Sequence, residues 1–374
     1  MSMDKPCIAF TGGGTGGHVY PGLAIIERLR ERWDGRIVWI GSGKAVERDA
    51  VRAAGIEFYS VPSGKLRRSL SPRNLVDVFK VAAGYVAARS TLRALGPLIL
   101  FSKGGYVSVP PCLAAHRLGI PVFTHESDVS PGLATRLNSR WAERIVLSWE
   151  ASLAFLDDAR KKRAVVMGNP VRSAVGSGNA GRGKAWLGVK PDLPLVLVMG
   201  GSQGAREVND LVAGALPLLG GSVAFAHQLG AGNPPAAPNG PTYRSFEFVH
   251  GELPDLYAAA DIVVGRAGAG IVWESSAAGK PMILVPLVKG SRGDQVENAR
   301  LLSDAGGAIT LTGADATAER LAGEIRQLAT DPNKRAHMAR AAAAVAPPDA
   351  ASAIANLILE RAAARLAQTG EDAR

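Results

Sequence analysis

The stretch TGGGTGGHVYP at residues 11–21 places five glycines within seven residues and follows them with a histidine. A chain that only turned a corner would need one or two, so the crowding implies that something must approach the main chain closely. Glycine has no Cβ, and successive N–H groups together with a helix N-terminus can then converge on a phosphate. The apolar run at 7–10 and the helical pattern at 20–32 put this loop between a strand and a helix. Gly12, Gly14 and Gly17 satisfy the dinucleotide pattern GxGxxG. A dehydrogenase would end its second strand with an acid for the ribose hydroxyls, whereas the strand at 36–40 runs into Gly41-Ser42. The nicotinamide reading loses its support there; a phosphate cradle or a tight turn with positive φ remains.

Two more loops share the character of the first. Lys103-Gly104-Gly105-Tyr106 follows a strand and precedes a helix, and Gly200-Gly201-Ser202-Gln203-Gly204 does the same further on. Three such loops imply a cleft in which phosphates are approached from both walls, and a ligand set of two phosphorylated molecules.

The elements that position these loops recur in a regular order. Strands at 7–10, 36–40, 98–101, 121–124 and 144–147 alternate with helical segments, among them 46–54, which is a parallel α/β pattern. The rhythm breaks at Gly168-Asn169-Pro170, and a Gly- and Ser-rich passage at 173–183 follows. It restarts with a buried-type strand at 195–199 and a helix at 206–218. The fold class is α/β, with two doubly wound halves: an N-terminal domain over 1–170, a C-terminal domain over 171–346, and a terminal helix and tail over 347–374 expected to pack back toward the N-terminal domain. The Pro- and Ala-rich loop at 230–241 carries no legible chemistry.

Composition narrows the class. The 374 residues suit two domains, and 47% apolar with 20% charged residues is globular. Two cysteines, Cys7 and Cys112, are too few for a disulfide framework, which points to a reducing compartment. Neither a signal peptide nor an uninterrupted apolar run of about 18 residues is visible, so no spanning helix is expected. The net charge of +10 attracts anions without choosing among nucleotide, lipid and nucleic acid.

Taken together, TGGGTGGHVYPGLA, SKGGYVSVP, HESDVSPGLA, GNPVR, GGSQGA, and RAGAGIVWE followed by GDQVENA closely resemble the MurG family, in family order from residue 11 to residue 299. These enzymes transfer N-acetylglucosamine from its UDP ester to a lipid-linked muramyl-pentapeptide. The resemblance implies the GT-B architecture, two Rossmann-like domains facing across a cleft, with the acceptor on the N-terminal half and the nucleotide sugar on the C-terminal half. It further implies residence at the cytoplasmic face of the cell membrane.

An inverting transfer needs a base for the attacking hydroxyl and opposing charge or dipoles for the departing diphosphate. His18 is the candidate base, with an imidazole suited to proton transfer near neutrality. His125 and Glu126, just past a strand end, form a second candidate pair, and Glu126 has loop organisation open to it as well. The acceptor diphosphate falls to Gly13, Gly14, Gly104, Gly105 and Tyr106, with His125 beside it. Toward the donor the resemblance implies Thr15, Gly16, Gly17 and Asp128 from the first half. From the second it implies Arg172 and Ser202 with Gln203 at the phosphates, His250 near the uracil, Ala269 and Gly270 as further donor contacts, Glu274 on the ribose and Gln295 on the sugar. No Asp-x-Asp pair stands at a strand end, so no built-in metal and no cofactor is expected; helix dipoles and arginine would meet the diphosphate charge.

The chain departs from the family pattern at Asp128, where asparagine is frequent, at Ala267 and Ile271, where serine and threonine are frequent, and at Asp294, which precedes Gln295 where another glutamine often stands. These leave a non-catalytic binder of nucleotide sugar or lipid diphosphate as the second reading. Finally, GKLRRSLSPR gathers Lys65, Arg67, Arg68 and Arg73, and the helix pattern at 74–92 carries Arg73, Asp77, Lys80 and Gly84 on one narrow polar stripe. Leu66, Leu70 and Phe79 are then available for an anionic membrane surface, or the helix is an ordinary buried one. The basic segment lacks interleaved aromatics and matches no reader module, so no nucleic acid partner is expected.

Overall fold

The computed structural model describes residues 5–14, 16–64, 72–201, 204–249, 251–288, 293–347 and 349–371, with the main chain only at 72–76 and 369–371. It divides into two compact units, Met1–Pro170 with Asp349–Arg374, and Val171–Pro348.

The first unit carries a seven-stranded parallel sheet: β1 (Cys7–Thr11), β2 (Arg36–Gly41), β3 (Glu57–Ser60), β4 (Ile99–Ser102), β5 (Val122–Glu126), β6 (Arg144–Leu147) and β7 (Ala164–Val166), in the order β3-β2-β1-β4-β5-β6-β7. Both faces are covered, so both phases of each central strand are apolar. In β1, Ile8 and Phe10 enter a core with Trp39, Phe101 and Phe123, while Cys7 and Ala9 enter another with Val38, Leu100 and Cys112. The chain winds outward from β1 through β2 to β3, then returns to lay β4 on the other side of β1. Strand order reverses there, and the carboxyl ends of β1 and β4 diverge to open a crevice.

The second unit repeats the scheme with β8 (Leu195–Met199), β9 (Ala224–Gln228), β10 (Tyr243–Phe246), β11 (Ile262–Gly265), β12 (Met282–Leu284) and β13 (Ala308–Thr310), in the order β10-β9-β8-β11-β12-β13, again all parallel. Its reversal lies between β8 and β11.

Three expectations change. The first helix spans Gly16–Arg30, so Gly16, Gly17 and His18 form its opening turn and do not belong to the loop before it. The passage at 173–183 is ordered structure of the second unit, a 3₁₀ turn Ser173–Ser177 and the start of the helix Ala180–Leu187. Two of its glycines serve packing, because a Cβ on Gly178 or Gly183 would run into the main chain of Pro254 or Asp255. Gly84 does not lie on an outward polar stripe of the helix Pro72–Leu95; it is buried where a Cβ would strike the carbonyl of Pro62. Val78, Phe79 and Val86 are each more than half exposed on its outer side, beside the exposed Lys80.

The helix Ala350–Glu371 closes the first unit against the helix Gly16–Arg30. A window in the stretch Pro332–Gln368 is apolar enough for a membrane span by composition. In the terminal helix the composition has another cause, since Ile354, Ala355, Ile358 and Ala362 are buried in the core of Ile8 and Phe10. Replacing Ile358 with alanine is expected to cost about 2–4 kcal/mol, read as a lower denaturation midpoint with an unchanged slope in urea.

Candidate active site

At the carboxyl edge of the first sheet, the loop after β1 lies directly on the loop after β4. Gly14 has φ +92°, and a Cβ there would sit 2.8 Å from the Tyr106 ring; Gly105 has φ +79°, and a Cβ there would run into the carbonyl of Gly13. Only glycine allows both the backbone conformation and the approach. Between the loops lies the half-buried His18 ring, whose Cδ2 would be 3.6 Å from a Cβ on Gly104 and 3.4 Å from one on Gly105. The two glycine loops and the candidate base thus share one surface. Lys44 Nζ stands 5.6 Å over the Tyr106 ring at its rim.

The first loop also has a support that the sequence pattern hides. Glu47, buried in the first turn of the helix Ala45–Ala53, turns its carboxylate inward beneath the glycines. It accepts from Ser42 N at 3.2 Å, Ser42 Oγ at 2.6 Å and Trp39 Nε1 at 3.3 Å, and from the Gly14 amide. Burial raises its pKa and these donors pull it back down. One amide of the presumed phosphate cradle therefore serves an internal anion. The acid missing after the second strand stands six residues beyond Gly41, where a helical pattern would assign it to solvent.

Past β5, Glu126 Oε1 accepts from Ser127 N at 2.9 Å and Asp128 N at 3.1 Å, and Oε2 from Gly132 N at 2.9 Å. With both oxygens committed to main-chain amides, Glu126 organises the turn and does not present a free base. His125 is fully buried; Nε2 donates to Gly168 O at 3.1 Å, and burial first, then the charges of Lys103 and His18, hold its pKa well below the ordinary range. It supports the wall from behind, so direct acceptor contact by its ring is not what this arrangement offers. Asp128 is half-buried at the turn, and Lys103 is buried with Nζ on Ser127 Oγ.

In the second unit, Gly200, Gly201 and Gly204 follow β8; a Cβ on Gly204 would strike Leu229 O. Past β11, Gly268 opens the helix Ala269–Ala277, whose first-turn amides include those of Ala269 and Gly270. Glu274 on that helix takes Arg172 Nη2 on Oε1 at 3.0 Å and the Tyr257 hydroxyl on Oε2 at 3.4 Å. Arg172 thus holds the proposed ribose acid, and Tyr257, absent from the sequence reading, is its second anchor. Gln295 Oε1 accepts from Leu287 N at 2.9 Å, and Asn298 Nδ2 donates to Ala267 O at 3.0 Å. Ala267 and Ile271 are buried apolar groups here, with the Ile271 side chain packed toward Gly265. Thr15, Ser202, Gln203 and His250 lie outside the described residues.

The Glycosyltransferase family 28 N-terminal domain matches residues 8–147 and the Glycosyltransferase family 28 C-terminal domain matches residues 195–354. A Treponema denticola protein named UDP-N-acetylglucosamine--N-acetylmuramyl-(pentapeptide) pyrophosphoryl-undecaprenol N-acetylglucosamine transferase is 44% identical, over 94% of this chain and 97% of its own. The chain belongs to the MurG family. A Bacillus cereus protein of the same name, numbered 2, is 42% identical over 86% of this chain and 91% of its own. Among solved structures, Acinetobacter baumannii MurG matches with TM-score 0.71 and 25% identity, covering 95% of this chain and 99% of that one. The Neisseria meningitidis UDP-GlcNAc 2-epimerase bound to UDP-GlcNAc matches at TM-score 0.66 and 14% identity, over 95% and 100% of the two chains. The second likeness speaks for the shared two-domain α/β fold alone.

Within the MurG-family fold, the buried carboxylate beneath the first loop gives a direct stability test. Glu47→Ala strands the Gly14 and Ser42 amides, whereas Trp39 Nε1 keeps Gly12 O as a partner at 3.2 Å. The change is expected to cost about 1–3 kcal/mol in urea unfolding, while Asp49→Ala on the exposed side of the same helix stays within about 0.5 kcal/mol.

Proposed function

We propose that this protein transfers N-acetylglucosamine from UDP-N-acetylglucosamine to the 4-hydroxyl of the muramyl sugar in an undecaprenyl-diphosphate-linked muramyl-pentapeptide, converting lipid I to lipid II in peptidoglycan synthesis. The observation that carries the reading is the His18 ring held between two side-chain-free loops at the switch point of the first sheet, in a chain of the MurG family. The hydroxyl oxygen attacks the anomeric carbon with inversion. Its proton passes to the His18 imidazole, and the bond to the diphosphate oxygen breaks with its electron pair leaving on UDP.

The residues divide by unit. Gly13, Gly104, Gly105 and Tyr106 present main chain and ring to the acceptor diphosphate, and the first turn of the helix Gly16–Arg30 adds its amides. In the second unit the amides of Ala269 and Gly270 face the donor diphosphate, and Glu274, oriented by Arg172 and Tyr257, accepts from the ribose hydroxyls. Gln295 and Asp128 read the sugar. Glu126 positions the Asp128 turn and takes no proton in this scheme.

The acceptor is lipid-linked, and the exposed apolar side chains of the helix Pro72–Leu95 suit a peripheral site on the cytoplasmic membrane surface. Lys65, Leu66, Arg67, Arg68 and Leu70 precede it outside the described residues, and the Arg73 side chain is not described. Burying one large apolar side chain contributes about 1.5–3 kcal/mol, so Phe79→Ser is expected to weaken partitioning onto phosphatidylglycerol vesicles by about tenfold or more in a sedimentation assay. Unchanged partitioning would remove this helix from the membrane contact.

Turnover of labelled UDP-N-acetylglucosamine with a lipid-diphosphate muramyl acceptor tests the activity. The wild-type chain is expected to form the disaccharide product, and His18→Ala to lower kcat by about 10²–10⁴-fold with UDP-N-acetylglucosamine binding retained. Nucleotide binding without transfer would support a binder on the same scaffold, and near-normal turnover by His18→Ala would remove the base assignment.

A further inference from the structure

Lys103 is the only lysine buried in the core among the described residues, and it lies between the two elements that carry the proposed chemistry. It opens the loop after β4, and its Cβ would be 3.1 Å from a Cβ on Gly12 in the loop after β1. Its Nζ donates to Ser127 Oγ, in the turn that Glu126 holds through the amides of Ser127 and Asp128. The same turn is fixed from outside by Trp149 Nε1, which donates to Ser127 O at 3.1 Å.

We propose that Lys103 is a positioning residue for the sugar-facing turn: its ammonium compensates the charge of Asp128 and, through Ser127, fixes where that carboxylate meets a sugar hydroxyl. This rests on the reading above that Asp128 reads the donor sugar.

A buried ammonium without counter-charge would shed its proton, and a carboxylate at a half-closed wall would do the opposite; each makes the other tenable. Glu126 and Asp128 both support the charge on Lys103 from β5 and the turn after it. His125 on β5 feels that charge, together with the charge of His18 from the helix Gly16–Arg30. Burial outweighs the two carboxylates and brings the lysine down to about 8. As pH rises through that value Lys103 loses its proton, and Asp128 and Glu126 lose their counter-charge. Donor recognition should therefore fall on the alkaline side.

The experiment is a double-mutant cycle on the full chain, with kinetics and calorimetric UDP-N-acetylglucosamine binding followed from about pH 6 to about pH 10. Lys103→Met alone is expected to raise KM for UDP-N-acetylglucosamine by about tenfold or more, because it leaves Asp128 uncompensated. Asp128→Asn alone costs less, and the double variant is no worse than Asp128→Asn. Wild type loses affinity with an apparent pKa near 8, and the double variant shows no such limb. Losses that multiply in the double variant, or an alkaline limb that persists in it, overturn the proposal. If Lys103→Met does not fold, the limb in wild type against its absence in Asp128→Asn alone decides the matter, and a limb that persists in Asp128→Asn overturns the proposal. Binding intact without sugar transfer would count against the transferase reading alone, since the limb is read in binding as well as in turnover.

Discussion

Main chain against main chain, at the carboxyl edge of the first sheet, is the contact on which the candidate site depends. The loop after β1 and the loop after β4 approach so closely that a methyl group on Gly105 would collide with the carbonyl of Gly13. The parallel sheet makes the approach available, because reversal of strand order opens a crevice at the carboxyl ends of β1 and β4. The glycines then let the crevice narrow until a single imidazole occupies it. Any side chain at these positions would push the walls apart and leave His18 without a fixed orientation.

Charge inside this wall is arranged to hold loops before it meets ligand. Glu47 gathers amides and an indole under the first loop, and Glu126 gathers three amides around the turn after β5. Both carboxylates act as resident anions that pre-organise main chain. In the second unit Arg172 and Tyr257 do the converse, fixing a carboxylate whose free lone pairs can accept from a ligand. The turn that carries Asp128 is held from inside by Lys103, whose ammonium donates to Ser127 Oγ.

Much of this was legible from residue types. Central strands buried on both faces read as short apolar runs, and β1, β2, β4, β5, β6 and β8 follow from that. Edge strands such as β3, with EFYS half exposed, and three-residue strands such as β7, β12 and β13 are too short or too mixed to stand out. The glycine loops and His18 were visible because no Cβ is tolerated there. The inward turn of Glu47, and of Lys103 beneath the loop it opens, was not, since a pattern cannot tell an inward-turned charge from a solvated one. Nor could it pair Arg172 with Glu274, which are 102 residues apart and meet only through the fold. The helix Pro72–Leu95 shows the opposite failure: Gly84, read into a polar stripe, lies on the packed face with Ala88 and Leu92, while the large apolar Val78, Phe79 and Val86 are exposed beside Lys80.

The first unit is discontinuous, and this has a consequence for biosynthesis. Its core around Ile8 and Phe10 is finished by Ile354 and Ile358, so residues 171–348 must leave the ribosome before that core can close. The second unit has all its strands in one continuous segment and is free to mature during translation. The nascent chain would therefore complete its downstream half first, leaving the upstream half as a partly open sheet awaiting its last helix, a natural client for chaperones until synthesis ends.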